Sequence, residues 1–471
     1  MPIRERILLI LFTAANVVMN NFIPLYSDET YYWLWSKKLA LSYFDHPPMV
    51  AYLIKLTTLF GDAVWEIRLA APLLMAGTIY LLYSLAKLIF DEKIALYTFY
   101  ILLSSFIIQG ASTIITPDIP LIFFWSLTLY SAYRYMELGE KNYALWMGFA
   151  GGALLLSKYT GILLPASLGV YLLLYRPKLF LDKYLYVAIA LCIVIFMPVV
   201  YWNSLHDFVS FKFQLGHGIA EEKVFHPEYF FKFAGEQLIV FHPFYLLPLL
   251  YFMVKDKEIF SRKKLFLLLP FLLTLGFFLY FAAFKKANTQ WAVPAYLSAS
   301  ILLGYYLAQR KAAKLVMAAG VATFVVILIV KTPAGEMIPA VRNFKARAVK
   351  INNFDHEIEA LKLNIDSYDH IIIDDYHGTD VAYYFKKYDN LLVLAPARFS
   401  NFNIWRNEEQ GIGLESPLHS LPRLGKCLYV GISDLHVAQL NELFGPGRVL
   451  LSTRKDIGSR KIALYIVEYQ N

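Results

Sequence analysis

"ILLILFTAANVVMNNFIPLYSDETYYWLWSKKLALSYFDHPP", Ile7–Pro48, decides how this chain must fold. Its first half, Ile7–Tyr26, is a run of about twenty mostly apolar residues, the length that carries a helix across a bilayer core of about 30 Å. Its second half opens on Asp28 and Glu29 and closes on Asp45, His46 and two prolines, with tyrosines and tryptophans between. The break from grease to charge marks the point where the chain leaves the hydrocarbon. No small-residue cleavage site follows the apolar run, so we read it as a retained first helix rather than a removed signal peptide.

The rest of the chain extends the pattern. Of its 471 residues, 58% are hydrophobic and only 17% charged, which excludes an ordinary soluble globule of this size. Mean hydropathy is +0.48. About eleven apolar segments read as spans: 5–26, 64–90, 94–110, 119–136, 143–157, 160–175, 184–203, 236–254, 264–284, 291–309 and 313–331. The net charge of +8 does not point to nucleic acid, because the basic residues cluster at the ends of alternate apolar runs. Arg4 with Arg6, Lys87 with Lys93, Arg134 with Lys141, Arg176 with Lys178 and Lys183, Lys255–Lys264 and Arg310–Lys314 would then face the cytoplasm. The N-terminus is expected inside and the C-terminus outside a bacterial cytoplasmic (inner) membrane. Cys192 and Cys427 are too few for a cysteine metal site.

Past Lys331 the charges spread evenly and apolar runs shorten, so residues 1–335 are expected to form the membrane domain and 336–471 an extracytoplasmic α/β domain. In the latter, "HIIID" (370–374), "LLVLA" (391–395), "CLYVGI" (427–432), "RVLLS" (448–452) and "IALYIVEY" (462–469) read as strands. "GTDVAYYFKKY" and "SDLHVAQLNELFG" read as helices, each opened by a polar capping residue.

The same topology gathers acids and bases on the outer face. Asp28, Glu29, Asp45 and His46 come from the opening stretch, Asp118 from "TPDIP" (116–120) and Lys158 from "LSKYTG" (156–161). His217 comes from the aromatic loop Trp202–Phe233, and Lys285 and Lys286 from "KKANTQWAVPAY". Such a site suits a polyprenyl-phosphate-linked sugar, whose tail lies among helices while its sugar enters an aqueous cavity. Lysine and histidine would neutralise the departing phosphate, a carboxylate would take the proton of an acceptor hydroxyl, and aromatic rings would pack on sugar faces. Structural readings stand beside these. Asp28 and Glu29 also suit a solvated helix start, Asp45 and Asp118 suit helix caps, Lys158 suits snorkelling, and His217 suits loop packing.

The ordered set of motifs adds to this reading. The acidic pair after the first span, "YFDHPP", "TPD.PL.FFW", "LLLSKYTG", "WN..HD..SF.FQLGHG" and "QWAVPAY" together resemble the bacterial polyprenyl-phosphate-sugar glycosyltransferases of family 39. That family includes relatives of protein O-mannosyltransferases and lipid A aminoarabinose transferases, and has the mainly α, polytopic GT-C fold. The resemblance covers essentially the whole chain, including "DDYH" at 374–377. It implies inverting transfer from a polyprenyl-phosphate-sugar donor to a lipid or glycan acceptor such as lipid A or lipopolysaccharide, with no metal required. It makes Asp28 the catalytic base and Lys158 a donor contact. Two positions depart from the pattern: His46 stands where aminoarabinose transferases carry a lysine, and Tyr31 where an arginine often follows the first acid. A transporter or flippase of lipid-linked sugars is the competing reading, and would need polar groups near the bilayer midplane.

Overall fold

The computed structural model describes residues 1–218, 224–310, 313–332, 335 and 337–339, and then 365–373, 379–386, 391–393, 400–402, 404–405, 425–431, 447–457 and 460–469. The chain is a bundle of helices followed by a β-sheet. In order the helices are α1 Ile3–Met19, α2 Ser27–Lys37, α3 Met49–Thr57, α4 Val64–Arg68, α5 Ala70–Ile89, α6 Glu92–Ser104, α7 Phe106–Ala111, α8 Asp118–Met136 and α9 Asn142–Ser157. There follow α10 Leu163–Tyr175, α11 Lys183–Leu205, α12 Val209–Gly218, α13 Pro227–Phe241, α14 Pro243–Lys255, α15 Arg262–Ala282, α16 Ala295–Ala308 and α17 Ala313–Lys331.

Each expected span coincides with one of these helices or with a neighbouring pair. Among the described residues, Val64–Ile89, Lys183–Leu205 and Arg262–Ala282 are long and apolar enough to cross a membrane on their own. Two further spans exist if bent pairs are counted, and the remaining segments are helical without reaching that measure. Two of the expected spans are broken within their length. Residues 94–110 are interrupted at Ser105, whose extended backbone ends α6 and whose hydroxyl accepts from the Ile108 amide to start α7. Residues 236–254 break at His242, where α13 and α14 meet at 106°. The cause is Pro243, which cannot donate a helical hydrogen bond and disfavours helical backbone at the residue before it. His242 sits at φ +83° and its ring accepts from the Phe244 amide at 3.2 Å.

The opening stretch bends as well. The segment Ile3–Phe22 and α2 meet at 100°, so α2 lies across the end of the first helix rather than continuing it. Arg68, at the end of α4, locks this corner. Its guanidinium donates to the carbonyls of Asn20, Ile23 and Pro24 and to both oxygens of Glu29, at 2.5–2.8 Å. Glu29 accepts in addition from the Tyr26 and Ile115 amides, each at 3.0 Å. A buried guanidinium is tolerated here because its donors are met by fixed acceptors.

All five expected strands are present as β1 His370–Ile373, β2 Leu391–Val393, β3 Lys426–Gly431, β4 Gly447–Ile457 and β5 Arg460–Tyr469. The sheet order is β2-β1-β3-β5-β4. β1 pairs in parallel with β2 and β3, while β3–β5 and β4–β5 are antiparallel. The helix Thr379–Phe385 forms the crossover that the parallel β1–β2 pair needs. The second expected helix, "SDLHVAQLNELFG", and "DDYH" lie outside the described residues.

Candidate active site

A cavity of about 540 Å³ opens where turns between the helices meet. Its walls come from six stretches of sequence. Asp28, Tyr31 and Tyr32 project from α2, with Asp45 and His46 on the loop after it. Asp118 begins α8 after Thr116 and Pro117, Lys158 follows α9, and Phe213 and Gln214 come from α12. Phe277, Phe278 and Phe281 of α15 supply one aromatic wall, continued by Lys285, Lys286 and Trp291.

Local folding explains these placements. α2 puts Asp28, Tyr31 and Tyr32 on one side, at the three- and four-residue spacing of a helix face. Lys158 is in extended conformation between α9 and a short 3-10 turn, which turns its side chain out of the helix line. Its ammonium donates to Asp118 Oδ1 at 2.7 Å. Lys158 is only 7% exposed, so it is held by a carboxylate rather than snorkelling to solvent. Asp45, 4% exposed, accepts from the Tyr31 hydroxyl at 3.0 Å, and its backbone carbonyl accepts from Gln214 at 2.8 Å. Asp45 does not cap α3, whose first flanking residue is Pro48. Lys285 donates to the Gly216 carbonyl at 2.6 Å, tying the loop after α15 to α12.

The cavity therefore holds three carboxylates, Asp28, Asp45 and Asp118, against three ammonium groups, Lys158, Lys285 and Lys286, with the His46 imidazole beside them. Asp28 is exposed and lines the cavity. Tyr32 is among the residues that sequence reasoning did not single out. Its burial, reinforced by the fields of Asp28, Asp45 and Asp118, raises the phenol pKa well above its ordinary value. The α15 phenylalanines were also missed, because within an apolar run nothing separates a cavity-facing ring from a lipid-facing one.

Of the residues picked from sequence, Asp28, Tyr31, Asp45, His46, Asp118, Lys158, Lys285 and Lys286 all line this one cavity. Glu29 is the exception. It is fully buried, faces Arg68 rather than the cavity, and serves the α1–α2 corner. The physical reason is helix geometry, which turns adjacent residues of α2 onto different faces. The side chain of His217 lies outside the described residues.

Known proteins match this chain in parts of its sequence and in its fold. Residues 45–202 match the family model described as Dolichyl-phosphate-mannose-protein mannosyltransferase. The chain is 29% identical over 309 residues to the lipid A galacturonosyltransferase RgtD of Rhizobium johnstonii, an alignment covering 64% of each protein and so less than two thirds of that relative. Its fold is that of ArnT from Cupriavidus metallidurans, solved bound to undecaprenyl phosphate, with a TM-score of 0.71 at 17% identity over 99% of this chain and 98% of that one. The archaeal oligosaccharyltransferase AglB from Archaeoglobus fulgidus overlays more loosely, at a TM-score of 0.50 and 10% identity over 91% of this chain and 69% of that one. At such identities the solved structures speak for the fold alone. In sequence and in fold, then, the chain is similar to the GT-C glycosyltransferases of family 39, the resemblance that its ordered motifs carry.

Proposed function

We propose that the protein is an integral-membrane glycosyltransferase that moves a sugar from a polyprenyl-phosphate-sugar donor to a hydroxyl or phosphate of an envelope acceptor, with inversion at the sugar. The observation that carries this reading is the single cavity in which the exposed carboxylate of Asp28 shares walls with Lys158, Lys285, Lys286 and the α15 aromatics. Charge for a phosphate, a base for a hydroxyl and apolar surface for a prenyl tail are the three requirements of such a donor.

Asp28 takes the proton of the acceptor hydroxyl as its oxygen bonds to the anomeric carbon. The bond from that carbon to the phosphate oxygen breaks, and the polyprenyl phosphate leaves with the electron pair. A general base typically contributes about 10²- to 10⁴-fold to such a step. Lys158 stabilises the leaving phosphate, helped by His46 and by Lys285 and Lys286. In the structure Lys158 is held by Asp118, which keeps an ammonium poised until a phosphate competes for it. Because these cations do the neutralising, transfer is expected to persist in EDTA.

The acceptor class follows the RgtD relative, which acts on lipid A, and lipopolysaccharide is its extension. The bilayer is the bacterial inner membrane, with the N-terminus cytoplasmic and residues 336–471 outside. Purified protein in lipid nanodiscs, given a panel of polyprenyl phosphate sugars with lipid A and EDTA, tests this. The expected result is one donor consumed, glycosylated lipid A formed and polyprenyl phosphate released. No donor consumed, or a donor moved intact across a proteoliposome membrane, would overturn it, the second result pointing to a flippase.

A further inference from the structure

Tyr31 and Asp45 are joined, 370 and 356 positions away in the chain, to a short piece of the C-terminal region. The Asn401 amide donates to the Tyr31 hydroxyl at 3.0 Å, and that hydroxyl donates onward to Asp45 Oδ2, also at 3.0 Å. The side-chain oxygen of the same Asn401 accepts from the Phe44 amide at 3.0 Å. Phe402 stacks on the Tyr31 ring with centroids 5.8 Å apart and planes at 22°. Asn401, Tyr31 and Asp45 are 1%, 2% and 4% exposed, so water does not compete for these bonds. A polar chain sealed in this way fixes the orientation of its last member, here a carboxylate in the cavity wall.

A second part of the C-terminal region, the helix Thr379–Phe385, also docks on α2. The Thr30 and Thr379 hydroxyls lie 2.8 Å apart, and Thr379 donates to the Ser27 carbonyl at 3.2 Å. Ser27 and Thr30 flank Asp28, so the C-terminal region grips α2 on both sides of the proposed base.

We propose that Asn401 is a positioning residue of the cavity: through Tyr31 and the Phe44 amide it orients Asp45 and its loop for the sugar-transfer reaction, so the C-terminal region completes the site. This rests on the transferase reading above. Asn401 is not among the residues lining the cavity and acts through two groups that line or carry its wall. Its backbone bond survives any side-chain change, which separates its two contributions. Tyr31→Phe removes the relay to Asp45, and Asn401→Ala removes the Phe44 clasp.

The test uses the full-length protein. In Asn401→Ala, kcat is expected to fall about 10- to 100-fold with KM for the donor changed less than kcat, the scale typical of losing a residue that orients a reacting group. Asn401→Asp keeps an acceptor for the Phe44 amide and restores most of the rate. In an Asp45→Ala background, where no carboxylate remains to be oriented, Asn401→Ala costs less than about 2-fold, as non-additivity of coupled residues requires. Equal losses in both backgrounds, or no rescue by aspartate, would overturn the proposal. Amide hydrogen exchange over 43–46 supplies a readout without turnover: faster exchange at Phe44 in Asn401→Ala but not in Asn401→Asp is expected. Unchanged exchange there would sink the positioning role even if no donor is ever turned over, whereas an inactive wild type with the expected exchange would sink only the transferase reading.

Discussion

Asp28 and Glu29 are neighbours with the same chemistry and opposite fates. Asp28 looks into the cavity, while Glu29 is buried against Arg68 with side-chain exposures of 0% and 1%. Removing one partner of a buried ion pair leaves the other charge uncompensated, at a cost of about 3–5 kcal/mol. Glu29→Gln should therefore lower the unfolding temperature in detergent sharply, while Asp28→Asn leaves it unchanged. Equal unfolding temperatures for the two would contradict this division of labour. The sequence could show that an acidic pair follows the first span, but not which acid faces inward. That answer depends on Arg68, 39 residues away inside an apolar run. Asn401 was hidden for the same reason, because nothing local to it announces Tyr31.

Among the elements, α9 and α11 explain how Lys158 is held in place. Gly148 of α9 approaches α11 so closely that a Cβ there would lie 2.4 Å from the Ala188 carbonyl oxygen and 2.8 Å from its Cα. Gly152, one turn on, meets Ile195 and the Cys192 carbonyl in the same way. This is the small-residue spacing that lets spanning helices pack backbone to backbone. Since the obstruction is backbone, Gly148→Ala must push the helices apart, at an overpacking cost of about 1–3 kcal/mol. A fall in unfolding temperature together with transfer activity is expected, since Lys158 directly follows α9. The strands were legible because each contains a short apolar run set off by the evenly spread charges of this region. The breaks at Ser105 and His242 were not, since both lie within otherwise apolar stretches whose composition favours one continuous helix.

At the scale of the whole molecule, turns far apart in sequence converge on one face. Positive clusters and acid-bearing turns alternate along the sequence, so Asp28, His46, Asp118, Lys158 and Lys285 were legible there as one group. Depth and contact were beyond it. The pairing of Lys158 with Asp118 and the closure of the wall by the α15 phenylalanines are products of packing. The seal that Asn401 makes behind Asp45 is another. The central claim is that this cavity turns over a lipid-linked sugar with Asp28 as its base. Single-turnover transfer by Asp28→Asn, measured alongside donor binding, tests it most directly. A loss of about 10²- to 10⁴-fold in rate with donor affinity intact is predicted; a folded Asp28→Asn protein that transfers sugar at the wild-type rate would contradict it.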